Sequence, residues 1–218
     1  MYIAIEGVIG VGKTTLARML QPRFGAELQL EVFEENPFLA DFYSDRERYA
    51  FQTQIFFLLS RYHQQRRSVR TVVDNGKHLI TDYTFAKDQL FAKINLEGDE
   101  LDIYYEVHKA LGEKVRLPDL IVHLTADIDA VMQRITLRDR SYERNMEREY
   151  IESLAKAYSD YYEFNYQGPP VLSIDTSGLN IVNQPADIDR IENMIREGLK
   201  DTVQQQLLPL DTSPVVTK

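Results

Sequence analysis

Two spacings of apolar residues alternate along this chain. Short runs that are continuously apolar, or alternate with period two, occupy 2–6, 28–33, 78–83, 117–124 and 171–175, and each reads as a β-strand. Between them apolar positions recur three and four residues apart. That spacing predicts helices over 13–24, from Pro37, over about 48–72, over 99–111, from an N-cap at Asp127, through Tyr158, Tyr161 and Tyr162, and over 186–200. Breakers separate the elements: Gly25, the run 34–37, Asn75-Gly76, Gly112, Pro169-Pro170 and the loop 178–185. The run 117–124 is nearly all apolar, as in a parallel strand covered on both faces. Strands alternating with helices predict an α/β fold in one domain over 1–200. Residues 201–218 turn polar and are expected to form a flexible tail.

Bulk composition narrows the partners. The 218 residues suffice for one full-sized core, and 44% hydrophobic with 27% charged residues is ordinary for a soluble protein. A net charge of −9 argues against a nucleic-acid polymer or an anionic membrane as main partner, so any basic site must be local. The absence of cysteine excludes disulfides, thiolate metal sites and a cysteine nucleophile. No signal-peptide pattern precedes the first strand, and no apolar run approaches the length of a bilayer span. A cytoplasmic enzyme is the expectation.

Candidate chemistry starts at the end of the first strand. Gly7-x-x-x-x-Gly12-Lys13-Thr14 is a phosphate-binding loop pattern, with a strand before it and a helix after it. Gly7, Gly10 and Gly12 let backbone N–H groups wrap a polyphosphate, and the helix 13–24, with Thr15 in its first turn, points its positive end at the same place. Lys13 would reach the β- and γ-phosphates of ATP, and the Thr14 hydroxyl would hold Mg²⁺. Glu31 lies near the end of the second strand and Asp82 near the end of the third, where open α/β sheets put their chemistry; Asp82 suits Mg²⁺. Gln54, Phe57 and Arg61 share one helix face. Arg134, Arg138, Arg140 and Arg144 fall within eleven residues, which in an acidic protein with a phosphate loop suggests a mobile lid over 138–146 that closes on phosphates. His63, His78, His108 and His123 have no metal-ligand spacing and read as structural.

Together these motifs, over about 1–165, resemble the deoxynucleoside kinases, and within them the bacterial deoxyadenosine/deoxyguanosine type. The family follows its second strand with Glu-Pro-Val-x-x-Asn-Pro, and this chain has Glu31-Val32-Phe33-Glu34-Glu35-Asn36-Pro37, which implies Glu31 as catalytic base, with Glu34 as the fallback. Tyr43, eleven residues before Gln54, falls on a residue that contacts the sugar 3′-hydroxyl. Arg61, seven after Gln54, takes Asp88 as its acidic partner. The family's Asp/Glu-Arg-Ser motif becomes Asp82-Tyr83-Thr84: its acid is kept and its arginine is missing, which leaves one phosphate or base-positioning contact for a lid arginine to supply. The lid pattern matches Arg134, Arg138, Arg140 and Glu143, with Glu143 on a sugar-contacting residue.

The resemblance implies a P-loop kinase fold with a five-stranded parallel sheet, flanking helices and an arginine-rich lid. It implies a homodimer that phosphorylates the 5′-hydroxyl of a deoxynucleoside with ATP and Mg²⁺ in nucleotide salvage, purines being favoured and deoxycytidine secondary. In this reading Glu31, Arg134, Arg138 and Arg140 are catalytic. Tyr43, Gln54, Phe57, Arg61, Asp88 and Glu143 bind substrate. A thymidylate kinase is the nearest alternative, but it needs an arginine near the second strand for the substrate's own phosphate, and residues 28–37 contain none. A non-catalytic subunit with this fold would have no cause to keep Lys13, Glu31 and the lid arginines.

Overall fold

The apolar run that opens the chain forms the middle of the sheet. In the computed structural model, which describes residues 1–144 and 146–207 (202–207 by backbone alone), β1 (Tyr2–Gly7) has all six residues buried. It pairs with β3 (His78–Thr81) on one side and β4 (Leu120–Thr125) on the other. β2 (Ala26–Gln29) lies outside β3 and β5 (Val171–Asp175) outside β4, giving the order β2-β3-β1-β4-β5 with every pair parallel. β1 and β4 show no alternation because both of their faces are covered. On one face α1 (Lys13–Phe24) buries Leu16, Ala17, Leu20 and Phe24. Truncating Leu20 to alanine would cost about 2–5 kcal/mol. On the other, the far end of α3 (Arg46–Val72) packs Val69 and Val72 against Tyr2, Ala4 and Leu79.

Several boundaries differ from the sequence reading. The second strand ends at Gln29, not Phe33, because the Glu31 N–H donates to the Asp82 carboxylate (2.7 Å) rather than to a strand carbonyl. Glu31 therefore stands on the loop just past β2, and Phe33–Glu35 wind into a 3₁₀ turn. The two helices expected from Pro37 and over about 48–72 are both present and begin at slightly different points: α2 (Leu39–Ser44) stops at Asp45, whose side chain accepts from the Arg48 N–H and caps α3 at Arg46. The pattern gave no warning of α4 (Lys87–Asn95), whereas α5 (Gly98–Gly112) matches its predicted span.

Asp127 occupies the N-cap position of α6 (Ile128–Arg138), yet its side chain caps nothing; its own N–H donates to Ser177 Oγ. α7 (Arg148–Asp160) carries Tyr158 into the core. α8 (Pro185–Leu207) runs beyond the expected end at 200, so 201–207 are helical; the rest of the expected tail, 208–218, and position 145 within the expected lid lie outside the described residues. Among the described residues no helix is long and apolar enough to cross a membrane.

Candidate active site

Strand ends set the site. β1, β2 and β3 finish at one edge of the sheet and release, in turn, the glycine-rich loop, Glu31 and Asp82. Gly7 (φ 143°) has no room for a Cβ, which would run into the Leu124 carbonyl oxygen. At Gly10 (φ 85°) a Cβ would lie 2.5 Å from Ile135 Cγ1. The loop is thus pressed against β4 and α6, and only glycine permits that path. Lys13 folds back, donating to the Gly7 carbonyl (2.7 Å) and the Val8 carbonyl (3.0 Å). Burial, with the Lys87 charge nearby, pushes the Lys13 ammonium down to about 8, against the pull of Glu6, Glu31 and Asp82. Thr14 Oγ1 donates to Asp82 Oδ2 at 2.5 Å, joining the first turn of α1 to the end of β3.

Glu31 is the centre of a charge cluster. Arg61 donates to its Oε1 through Nε (2.9 Å) and through Nη2, while Lys87 Nζ donates to Oε2 (2.6 Å). Burial opposes ionisation of Glu31, but Arg61 and then Lys87 outweigh it and hold the carboxyl well below the usual carboxylate range. Arg61 also pairs with the fully buried Asp88 and lies over the Phe57 ring, 4.8 Å from its centroid. The predicted helix face is real: Gln54, Phe57 and Arg61 line one cleft with Glu31, Tyr43, Lys87 and the lid residues Arg138, Arg140 and Glu143. Asp88 backs Arg61 from α4.

The lid arginines divide into two sets. Arg138 donates to Glu143 at 2.5 Å and 3.1 Å, and Arg140 reaches the other oxygen of Glu143 at 3.4 Å while covering the Phe33 ring. Tyr142 stacks on Tyr43, with centroids 6.0 Å apart. Arg138, Arg140, Gly10, Lys13 and Thr14 line both this cleft and a second cavity, which Gly12, Thr15, Arg134, Thr176 and Asn180 complete. Arg134 differs from its neighbours. It donates to the Val11 carbonyl and to both oxygens of Thr176, all within 3.0 Å, so it fastens the loop to the segment after β5 on the wall of the second cavity. It does not share a wall of the cleft that holds Glu31.

Three residues escaped the sequence reading. Glu6 is wholly buried near the end of β1, just before the loop; its carboxylate accepts from Thr84 N–H (2.5 Å), Thr84 Oγ1 (2.8 Å) and Tyr158 OH (3.2 Å), and burial raises its pKa. Lys87 opens the unread helix α4. Tyr142 lies inside the arginine cluster, between Arg140 and Arg144. None has a local sequence signal, since their partners are far away in the chain. Among the described residues no three His, Cys, Asp or Glu side chains converge on a metal position.

Comparison with known proteins agrees with this geometry. The family model for deoxynucleoside kinase matches residues 3–200. The deoxyguanosine kinase of Bacillus subtilis is 33% identical over 199 residues, covering 90% of this chain and 96% of that one. The deoxyadenosine kinase of Dictyostelium discoideum is 35% identical over 181 residues, covering 81% and 72%. A solved structure of the M. mycoides deoxyadenosine kinase with dATP bound superposes with a TM-score of 0.77 at 27% identity, covering 90% of this chain and 99% of that one. A second, with the products dCMP and dCDP, gives 0.78 at 28% identity, covering 90% and 100%. The phosphate loop, the sheet that carries it and these similarities agree: the chain belongs to the deoxynucleoside kinase family and is a phosphotransferase that phosphorylates deoxynucleosides.

Proposed function

We propose that this kinase moves the γ-phosphoryl group of ATP to the 5′-hydroxyl of a purine deoxynucleoside, deoxyadenosine or deoxyguanosine. One observation carries the reading: Glu31 is fixed at the junction between the phosphate loop and a cleft walled by Gln54, Phe57 and Arg61. In this reading ATP lies in the second cavity with its phosphates over Gly7–Thr14, and the nucleoside lies in the cleft with its sugar against Tyr43 and Glu143. The 5′-oxygen attacks the γ-phosphorus in line, the bond to the β-phosphate oxygen breaks, ADP leaves with the electron pair, and Glu31 takes the hydroxyl proton. A carboxylate held this far down is a weak base. It suits a loose transition state, where the proton leaves late and positioning supplies most of the rate.

Lys13, Arg138 and Arg140 would stabilise charge on the transferring group, while Arg134 holds the donor wall. The Thr14 hydroxyl and the Asp82 carboxylate are hard oxygen donors in contact, a donor set that fits Mg²⁺, which takes few protein oxygens and completes its shell with water and phosphate. The ion would supply charge neutralisation on the β- and γ-phosphates. The reading also takes the enzyme to be a cytoplasmic homodimer, which sedimentation would report at about twice the 25.4 kDa chain mass.

Base choice rests on the polar wall. Gln54 offers a donor and an acceptor to a base edge, and Arg61 is committed to Glu31 and Asp88 rather than free for a substrate phosphate. That commitment disfavours a monophosphate acceptor such as dTMP. The names of the relatives support purines, and the M. mycoides enzyme with dCMP, dCDP and dCTP bound supports deoxycytidine as the second choice. The test is kcat/KM for the four deoxynucleosides. A purine should exceed thymidine at least about tenfold, the scale set by one well-made polar contact; thymidine as best substrate would overturn the assignment.

A further inference from the structure

Tyr83 follows Asp82, where the resemblance implies an arginine, and its side chain does not enter the cleft. It is fully buried, with its hydroxyl donating to Gln64 Oε1 (2.9 Å) and accepting from Gln29. Nor does a lid arginine reach Glu31: Arg138 and Arg140 are held by Glu143, and Arg134 by Val11 and Thr176. The cation present at Glu31, besides Arg61, is Lys87. Its side chain is almost wholly buried, and its ammonium lies over the Phe91 ring (Nζ 5.4 Å from the centroid) and meets Glu31 Oε2 at 2.6 Å.

We propose that Lys87 is the positioning residue for the base in this chain, taking from the first turn of α4 the place left empty by Tyr83. The inference rests on the function proposed above. Arg61 fixes one carboxylate oxygen of Glu31 and Lys87 the other, so the group cannot turn about its terminal torsion and presents a set lone pair to the 5′-hydroxyl. A carboxylate held on one side only would rotate, and the near-attack geometry would be populated part of the time. When the 5′-hydroxyl proton passes to Glu31, the carboxyl loses its charge and the Lys87 ammonium is left facing the phosphoryl group as the P–O bond to ADP breaks. Its position on α4 follows from the helix itself: Lys87 N–H donates to Thr84 Oγ1 (3.2 Å), and Thr84 is held in turn by Glu6. The base is thereby tied to the loop strand through Lys87, Thr84 and Glu6.

The experiment compares the wild type with Lys87→Met and Lys87→Arg, measuring kcat and KM for ATP and deoxyguanosine together with thermal unfolding. Lys87→Met should lower kcat about 100-fold, with either KM changed less than about threefold, and Lys87→Arg should recover at least about a tenth of the wild-type kcat. A purely structural lysine would lower the unfolding temperature and leave kcat of the folded fraction near normal, and that result overturns the inference. So does a folded Lys87→Arg no more active than Lys87→Met. If Lys87→Met does not fold, Lys87→Gln carries the same comparison. Wild-type turnover with normal kcat in the Met variant removes Lys87 alone from the mechanism, whereas a wild type inactive on every deoxynucleoside overturns the parent reading with it.

Discussion

Arg138 donates to Glu143 through both Nη2 and Nε, at 2.5 Å and 3.1 Å, and the carboxylate that holds it is almost wholly buried. A lid cation is therefore kept at the boundary of the two cavities by a residue that also lines the cleft. In phosphoryl transfer most of the acceleration comes from positioning and charge. Arg138→Ala should accordingly lower kcat as far as Glu31→Gln does, about 10²–10³-fold. Steady-state kinetics of the two variants side by side checks this, and near-normal turnover in Arg138→Ala would contradict it.

Asp82 serves two partners at once, the Thr14 hydroxyl on Oδ2 and the Glu31 N–H on Oδ1. Asp82→Asn keeps the shape but removes the charge that the proposed Mg²⁺ site would use. It should raise the Mg²⁺ concentration for half-maximal activity about tenfold and lower kcat about 100-fold. A Mg²⁺ titration at saturating ATP gives the answer; an unchanged midpoint would remove Asp82 from the ion's shell.

Gln54 is buried on the cleft wall. In the proposed reading its amide acts on binding and on the choice of base, so Gln54→Leu should raise KM for the deoxynucleoside about 10–100-fold while kcat stays within about fivefold. Loss of kcat at unchanged KM would mean that the base edge is read elsewhere.

Acid should unfold this protein partly through two histidines. Burial, aided by the Lys13 charge, pushes His123 down to about 4; burial does the same to His108, against its bond to the Phe85 carbonyl. The unfolded chain takes up protons near pH 6.5 that the folded chain refuses, so stability falls as pH drops from about 6.5 towards 4 and this contribution levels off below 4. Its full size is on the order of 3 kcal/mol per histidine. His123 packs against the rings of Tyr158 and Tyr162, so phenylalanine can keep the packing. Urea unfolding of His123→Phe at pH 7.5 and pH 5 should show a clearly smaller acid loss than the wild type, and an equal loss would assign the slope to other groups.

Much of this was legible from residues alone because it is local. The loop 7–14 carries its own strand and helix, and the face of Gln54, Phe57 and Arg61 follows from helical spacing within α3. Glu31 was found, although its strand was drawn too long: the ladder stops where the Asp82 carboxylate replaces a backbone acceptor, a contact across 51 residues. Lys87 was missed for the same kind of reason. α4 is short, and the lysine's meaning depends on a carboxylate 56 residues earlier. The four arginines were visible as a cluster, but the separation of Arg134 from Arg138 and Arg140 depends on Thr176, 42 residues beyond Arg134. What sequence shows poorly is not which groups are present but which long-range partner each one keeps.

One assay bears on the whole reading: ADP release from ATP–Mg²⁺ by the wild type and Glu31→Gln, with each of the four deoxynucleosides and with dTMP. Turnover with deoxyadenosine or deoxyguanosine, reduced about 10²–10³-fold in Glu31→Gln, is the predicted result. Turnover with dTMP alone, or undiminished turnover in Glu31→Gln, would contradict it.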